Sequence, residues 1–424
     1  MMTDIETRLI QAKTKRTERI KDVTVNVDDY LTLTTNLPGW PKNTVHSRLI
    51  IRMIHRLIED VFVVKKNIYI ESDAGDIMIY QIDQSPKTIK QQAIYIEENH
   101  PLGRLIDLDV YSYQKPLNRN DFNASTRKCY LCEHPAHQCA VLKRHSLDEL
   151  HAYFRLKSER YFTSALAETV GLSLRKELSL YPKLGLVSFH DSGIHTDMNK
   201  EHFFMSIEAL KPYFEDFIRY GLKNNLSPDR LREIGKKAER AMFQATSNIN
   251  THKGAIFIFG CFLPFYVKAI VEDRNLTSAI DSMKDELQSL LMEDFDKIIQ
   301  KGPSSYGETC YQIYRIGGIR EEVLKGFPSL LSWFFKEPLN DYQQFIKIAS
   351  LLDDTTIIKR TSKEVLKRFK VDCENFLKKP FALETYHDFS NYYKAKNVSP
   401  GGSADLYALA QFITKTDFLL RKIT

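Results

Sequence analysis

The 424-residue chain is short of the features that mark unusual environments. It has only six cysteines, Cys129, Cys132, Cys139, Cys261, Cys310 and Cys373, and their scatter excludes a disulfide framework. The start, Met-Met-Thr-Asp-Ile-Glu, lacks the basic residues and apolar stretch of a secretory signal, so the expected location is the cytoplasm. No apolar run reads as long enough to span a bilayer. The longest, 255–270, is interrupted by Pro264 and Lys268 and reads as a buried helix. An excess of one charge is also lacking. Residues 1–157 hold 23 Lys and Arg against 20 Asp and Glu, and the remainder holds 37 against 34, for a net +6. Such a balance predicts a mixed solvated surface and excludes a nucleic-acid-binding block, though a mild positive excess suits an acidic protein partner or a polyphosphate. There is no internal repeat and no low-complexity segment.

What is present is ordinary globular material, 43% hydrophobic and 27% charged, in a chain long enough for two domains. The first, 1–157, reads as mixed α/β. Helical patterns cover 5–20 and 49–60. Runs rich in Val, Ile and Tyr at 30–35, 61–70, 77–82, 93–97 and 105–111 read as strands. From residue 158 strand-like alternation nearly vanishes. Helical patterns at 160–180, 200–220, 228–245, 279–300, 342–352, 363–377 and 404–422 predict an all-α domain spanning 158–424, with the polar helical stretch 147–159 as the join.

In the first domain the segment Gly103-Arg104-Leu105-Ile106-Asp107-Leu108-Asp109-Val110 is the most informative. On a strand, residues two apart share a face, so Asp107 and Asp109 stand side by side while Ile106, Leu108 and Val110 face a core. Adjacent carboxylates repel unless a cation neutralises them, and Mg²⁺ is held this way in nucleotidyl-transfer sites. A bare Asp-x-Asp is also compatible with an exposed strand end.

Together with Asn36-Leu37-Pro38-Gly39, Arg127-Lys128-Cys129-Tyr130-Leu131-Cys132 and Ala136-His137-Gln138-Cys139-Ala140 through Arg144-His145, this segment resembles the apo-citrate lyase phosphoribosyl-dephospho-CoA transferases. The resemblance implies a nucleotidyltransferase-like domain that moves the phosphoribosyl-dephospho-CoA group from a triphosphate donor to a carrier-protein serine and releases pyrophosphate. Asp107 and Asp109 would hold Mg²⁺ and Arg104 would meet phosphates. The partner would be the apo acyl carrier protein (γ subunit) of citrate lyase. Cys129-x2-Cys132, His134, His137, Cys139 and His145 also offer enough ligands for a tetrahedral Zn²⁺ site, of which Cys129, Cys132, Cys139 and His145 are the candidate set. The alternative is a reduced, partly buried turn whose thiols pack.

In the second domain polar loops interrupt the helices. They contain Glu177 and Pro182-Lys183-Leu184-Gly185, then Ser192-Gly193-Ile194-His195-Thr196-Asp197, Asn250-Thr251-His252-Lys253-Gly254, Gly317-Gly318-Ile319-Arg320, Asp353-Asp354-Thr355-Thr356 and Ser399-Pro400-Gly401-Gly402-Ser403-Ala404-Asp405. Singly each reads as structural: 399–405 as a helix start with Ser403 as N-cap and Asp405 in the first turn, and Asp353-Asp354 as a solvated helix end. As a set they offer the Lys, His, Arg, Asp and Gly that a polyphosphate–Mg²⁺ site needs. The pattern over 170–415 resembles the triphosphoribosyl-dephospho-CoA synthases. The implied reaction joins ATP to 3′-dephospho-CoA and releases adenine. On that basis Lys183, Lys253 and Arg320, with the helix start Gly401, Gly402 and Ser403, are assigned to phosphates. Asp197, Asp354 and Asp405 are assigned to Mg²⁺ or to the base, and His195 and Glu177 to the sugar site.

The chain departs from that pattern. A Pro is expected at Leu184, Asp at Ser188, His at Tyr306, Asn at Thr356, and Gly-Gly at Thr361-Ser362. A bifunctional transferase using ATP, 3′-dephospho-CoA and Mg²⁺, and touching neither nucleic acid nor membrane, is the leading expectation. The alternatives are a hydrolase of glycosidic bonds in ADP-ribose-like substrates and a non-catalytic carrier-binding scaffold.

Overall fold

The computed structural model describes residues 4–223 and 225–420, in two compact units that divide between Ser164 and Ala165. The division falls inside a single helix, Leu147–Ser179, whose first part is the polar helical stretch 147–159.

The first unit runs α1 (Asp4–Thr24), β1 (Asp29–Thr35), α2 (Val45–Val61), β2 (Val64–Ile70), β3 (Ile77–Ile82), α3 (Pro86–Asn99), β4 (Ile106–Ser112), β5 (Lys115–Pro116), α4 (Ala136–Val141) and α5 (Leu147–Ser179), which continues into the second unit. All five strands pair antiparallel in the order β2-β3-β1-β4-β5. One sheet face packs Leu31, Leu33, Met78, Tyr80, Ile106, Leu108 and Val110 against Ile50, Ile54 and Ile58 of α2 and Ile89, Ala93 and Ile96 of α3. The opposite face carries a smaller cluster of Tyr30, Ile70, Ile77 and Ile79.

The expected strand at 93–97 is instead the middle of α3. A five-residue apolar run does not distinguish strand from helix. The Ser85 cap, accepting from Thr88 N, and Pro86 in the first turn start a helix here. The burial of Ile89, Ala93 and Ile96 then follows helical spacing. The strand expected over 61–70 begins only at Val64, because Val61 closes α2.

The second unit continues with α6 (Lys200–Gly221), α7 (Pro228–Ala245), α8 (Lys253–Val271), α9 (Leu276–Lys301), α10 (Tyr306–Tyr314), α11 (Ile319–Lys325), α12 (Pro328–Leu331), α13 (Asp341–Leu351), α14 (Thr355–Arg360), α15 (Lys363–Leu377), α16 (Leu383–Ala395) and α17 (Gly401–Thr416). Its described residues contain no strand. The last helix begins at Gly401 rather than 404, and its expected end at Lys422 lies outside the described residues, as does the start at Met1–Thr3. The hub is α8, where Phe259, Phe262 and Tyr266 meet Phe214, Phe327 and Phe412 in largely edge-on contacts. By length and composition α8 is long and apolar enough to cross a membrane, contrary to the reading of its sequence; most of it is buried inside this unit.

Two candidate active sites

On β4, Ile106, Leu108 and Val110 are fully buried, and Asp107 and Asp109 share the other face. At Leu108 the outer edge of β4 has no strand partner, because β5 pairs only with Tyr111 and Ser112. Two side chains of α3, about two helical turns apart, close that edge. Lys90 Nζ donates to Leu108 O at 3.2 Å, and Leu108 N donates to Glu97 Oε1 at 2.8 Å. Lys90 also reaches Asp109 at 4.0 Å.

Glu97 is buried and gripped from two sides, by Arg119 Nη1 at 2.7 Å and by Arg127, whose other nitrogen pairs with Asp107. Arg104 sits on the turn Gly103–Leu105 with its Nε and Nη2 buried and without a hydrogen-bond partner among the described residues; the Tyr130 hydroxyl is in the same condition. Burial and the nearby Arg127 lower the Arg104 pKa. A buried guanidinium with idle donors is the arrangement an anionic ligand completes. Gly103 lets this turn press onto the end of α3, since a Cβ there would lie 2.4 Å from Glu97 O. The sequence reading placed Asp107, Asp109 and Arg104 in this site and missed Lys90, Glu97 and Arg119. Arg127 was visible only as part of a motif.

Cys129, Cys132, Cys139 and His145 also converge, with ligand atoms all within 4.8 Å of one another, while His134 and His137 are exposed and outside the group.

In the second unit the dispersed loops meet around the start of α8. Glu177, on the last turn of α5, forms a buried ion pair with Lys183, which also donates to Val187 O at 3.0 Å. Asp405 is the fifth residue of α17, one turn beyond the first-turn place expected of it, and accepts from Ala255 N at the positive end of α8. Gly254 permits this, because a Cβ there would fall 1.9 Å from Asp405 Oδ2. Burial, then the charges of Glu177 and Asp354, push the Asp405 carboxyl well up, and Lys183 only partly offsets them. Burial likewise drives Glu177 up and Lys183 down against their mutual attraction. Two carboxylates therefore share one lysine.

Two buried histidines flank the group. Burial and Lys183 hold His252 at about 3; its Nδ1 lies 2.7 Å from Ser206 Oγ and its Nε2 has no partner among the described residues. Burial and Arg360 hold His195 at about 4, with Nε2 3.0 Å from Ser399 Oγ and Nδ1 3.1 Å from Arg360 Nη2. Both are neutral at pH 7.

Several assignments change. Asp354 is the N-cap of α14: its Oδ1 accepts from Thr356 N and Oγ1, and its Oδ2 from Ser403 N and Oγ at 2.9 and 3.1 Å. Both oxygens are occupied, so Asp354 braces α17 and is poorly disposed to act as ligand or base. Ser403 is therefore not the N-cap but the third residue of α17, and Gly401 N donates to Thr356 Oγ1 at 2.8 Å. With these N–H groups engaged, the Gly401-Gly402-Ser403 start holds the protein together rather than presenting a phosphate cradle. Asp197 is exposed, 3.9 Å from His195 Nδ1 and apart from the buried group.

The departures from the family pattern are locally absorbed. Thr356 Oγ1 donates to Ser399 O and accepts from Gly401 N, two bonds an Asn amide also makes. Ser188 Oγ accepts from His190 N and Asp191 N, the turn an Asp also closes. Thr361 and Ser362 cap α14 and α15 at negative φ, where no glycine is required. Leu184, at φ +44°, donates its N–H to Ser390, which a proline cannot do. Tyr306 ties α10 to Ile358 O at 3.3 Å.

Lys253 and Arg320 face a cavity of about 600 Å³ that Arg232, Lys236, Lys297 and Lys301 also line. That size suits a nucleotide-scale ligand. Lys253 pairs with Glu239 at 2.5 Å and Arg320 with Glu308 at 2.8 Å. Although desolvation pushes it up, Glu308 is held down to about 2 by Ser304 and Arg320. The cavity adjoins the carboxylate group through the first residues of α8 and α11: Lys253 lines it while Gly254 touches Asp405, and Arg320 lines it while Ile319 packs on Gly254 and Gly402.

An α/β unit with a carboxylate–arginine face and a helical unit with a buried carboxylate cluster beside a basic cavity define a two-site transferase. Residues 5–161 match the family of apo-citrate lyase phosphoribosyl-dephospho-CoA transferases, and 163–422 match the ATP:dephospho-CoA triphosphoribosyl transferases. Protein CitXG of Leuconostoc mesenteroides subsp. cremoris is 30% identical over 90% of both chains, and Protein CitXG of Haemophilus influenzae is 29% identical over 80% of this chain and 79% of its own. The 2-(5″-triphosphoribosyl)-3′-dephosphocoenzyme-A synthase of Haemophilus ducreyi is 31% identical over 66% of this chain and 98% of its own. The chain belongs to the CitXG family, whose enzymes serve the synthesis of the citrate lyase prosthetic group.

Proposed function

We propose that the helical unit makes 2′-(5″-triphosphoribosyl)-3′-dephospho-CoA from ATP and 3′-dephospho-CoA, and that the α/β unit, nucleotidyltransferase-like in chemistry, passes the phosphoribosyl-dephospho-CoA group to a serine of the citrate lyase acyl carrier protein. In the first step the 2′-hydroxyl of dephospho-CoA attacks the anomeric carbon of the ATP ribose. A C–O bond forms, the C–N bond to adenine breaks, and the hydroxyl proton passes to a carboxylate. Asp405 and Glu177 are the groups placed for that proton and for the positive charge developing on the sugar. Lys253, Arg320 and the cavity lysines receive the triphosphate. His252, neutral and with an unpartnered Nε2, is placed to exchange a proton with the departing base. In the second step the serine oxygen attacks the phosphorus attached to the ribose and pyrophosphate leaves. Arg104, Arg119 and Arg127 bear the phosphate charge, and Asp107 or Asp109 takes the serine proton.

Mg²⁺ supplies charge neutralisation to the triphosphate in both steps. Asp405 with Glu177, and Asp107 with Asp109, are the carboxylates that fit it, since in the helical unit they exceed the neighbouring lysine in charge. The cytoplasm, where ATP is at hand, is part of the same reading.

The observation that carries the proposal is the buried set Glu177, Lys183 and His252, with the half-buried Asp405, beside a basic cavity, within the span matching the synthase family. The test is adenine release from ATP, Mg²⁺ and dephospho-CoA, followed by the mass of added apo carrier. Undiminished release by Asp405→Ala removes that residue from the site. Release that does not depend on dephospho-CoA marks a hydrolase instead. No mass gain on the carrier, even with the finished triphosphate donor, defeats the transfer half.

A further inference from the structure

We infer that Cys129, Cys132, Cys139 and His145 bind one zinc ion, and that this ion is the core of the segment carrying Arg127 to Asp107. Between residues 121 and 150 a single residue, Cys139, is buried. Val141, Leu142 and Leu147 are exposed, so the segment has no hydrophobic cluster of its own to order it. Yet it is tightly folded. Cys129 N donates to His134 O and Ala136 N to Arg127 O, both at 2.8 Å, closing a small hairpin through the bridge Lys128–Pro135. The N–H groups of Leu131 and Cys132 turn back onto Cys129 Sγ, the arrangement of a Cys-x2-Cys knuckle wrapped about a metal. The short helix α4 then presents Cys139, and Arg144 N bonds back to Cys139 O at 3.1 Å, which returns His145 to the thiols.

The spacings about Cys132 Sγ fit a tetrahedron, and the other ligand atoms lie within 4.8 Å of one another. Zinc–sulfur bonds of about 2.3 Å set sulfur–sulfur separations near 3.7 Å, and the sulfur–nitrogen separation follows at about 3.5 Å. Cys132 Sγ lies 3.4 Å from both Cys139 Sγ and His145 Nε2. No pair of sulfurs is joined as a disulfide. Three thiolates and one imidazole, with no fifth His, Cys, Asp or Glu in the group among the described residues, are the donor set of a closed structural zinc site rather than of Mg²⁺. The hairpin the ion would clamp carries Arg127, which bonds Asp107 and Glu97, and Tyr130, which packs on Tyr153 of α5. The ion thus positions the arginine face of the transfer site without touching substrate.

The test uses the untagged full chain purified without chelator. Elemental mass spectrometry should find one zinc per chain, released by a thiol-binding mercurial. Separate Cys132→Ser and His145→Ala variants should lose it. On the wild type, chelation under reducing conditions should expose Lys128, Lys143 and Arg144 to trypsin, and zinc but not magnesium should restore protection. These measurements do not depend on either catalytic activity. Metal-free protein with free thiols and an already trypsin-resistant segment overturns the inference. So does a Cys132–Cys139 disulfide in the intact mass, or iron in place of zinc.

Discussion

Lys183→Met is the most direct probe of the helical site. Lys183 and Glu177 are 3% and 5% exposed, and the charge of the lysine offsets both Glu177 and Asp405. Removing one member of a buried ion pair leaves the other unsolvated, at a cost of about 3–5 kcal/mol. The loss of the bond to Val187 O adds to this. The expected destabilisation at pH 8 is therefore about 4 kcal/mol. The pH dependence has a definite sign. Burial sets the folded pKa of Glu177 above its ordinary 4.5, so stability is greatest below that value and is lost as pH rises through the folded pKa. Without Lys183 that folded pKa climbs further. The deficit against wild type should then be small near pH 5 and complete at pH 8. Glu177→Gln added to Lys183→Met should recover about 2 kcal/mol, since the stranded carboxylate is gone. Urea unfolding can be followed through Trp333, buried in the second unit, in a Trp40→Phe background that silences the other tryptophan. A loss below about 1 kcal/mol at pH 8, or a double variant no more stable than the single, would refute the pairing.

Gly254→Ala should cut adenine release by about 10²-fold, since the added methyl displaces the Asp405 carboxylate, while the better helix former limits the loss of stability; equal activity in steady-state assays would separate Asp405 from the chemistry. His252→Gln should flatten the acid limb of stability. A histidine held at about 3 costs the fold about 1.4 kcal/mol per pH unit below 6.5, so between pH 7 and 5 the wild type should lose about 2 kcal/mol more than the variant in urea titrations. Arg127→Ala should slow carrier labelling from supplied triphosphate donor by about 10²-fold and leave adenine release unchanged. Labelling at the wild-type rate would remove Arg127 from the transfer site.

The common face of Asp107 and Asp109, the burial of Ile106, Leu108 and Val110, and most helices of the second unit were legible in the chain itself. Each follows from a period of two or 3.6 residues, a property of a few consecutive side chains. The 93–97 run was misread because it is shorter than the pattern that separates helix from strand, and with it Glu97 lost its place beside Asp107. The roles of Ser403 and Asp354 were also beyond a local reading: Ser403 reads as an N-cap and Asp354 as a solvated helix end or a ligand, but the Asp354 carboxylate caps α14 and holds the start of α17.

The sequence by itself determined two units with distinct textures, the residue types of both sites and the ligand pool of the cysteine segment. Tertiary structure alone decided which members meet. It set Glu177 and Lys183 against Asp405 more than two hundred residues away, left Asp197 in solvent, and aimed Arg119 and Arg127 at Glu97. The physical reason is range. Backbone periodicity and capping act within one or two turns, whereas a buried charge finds its partner only when packing removes water from both.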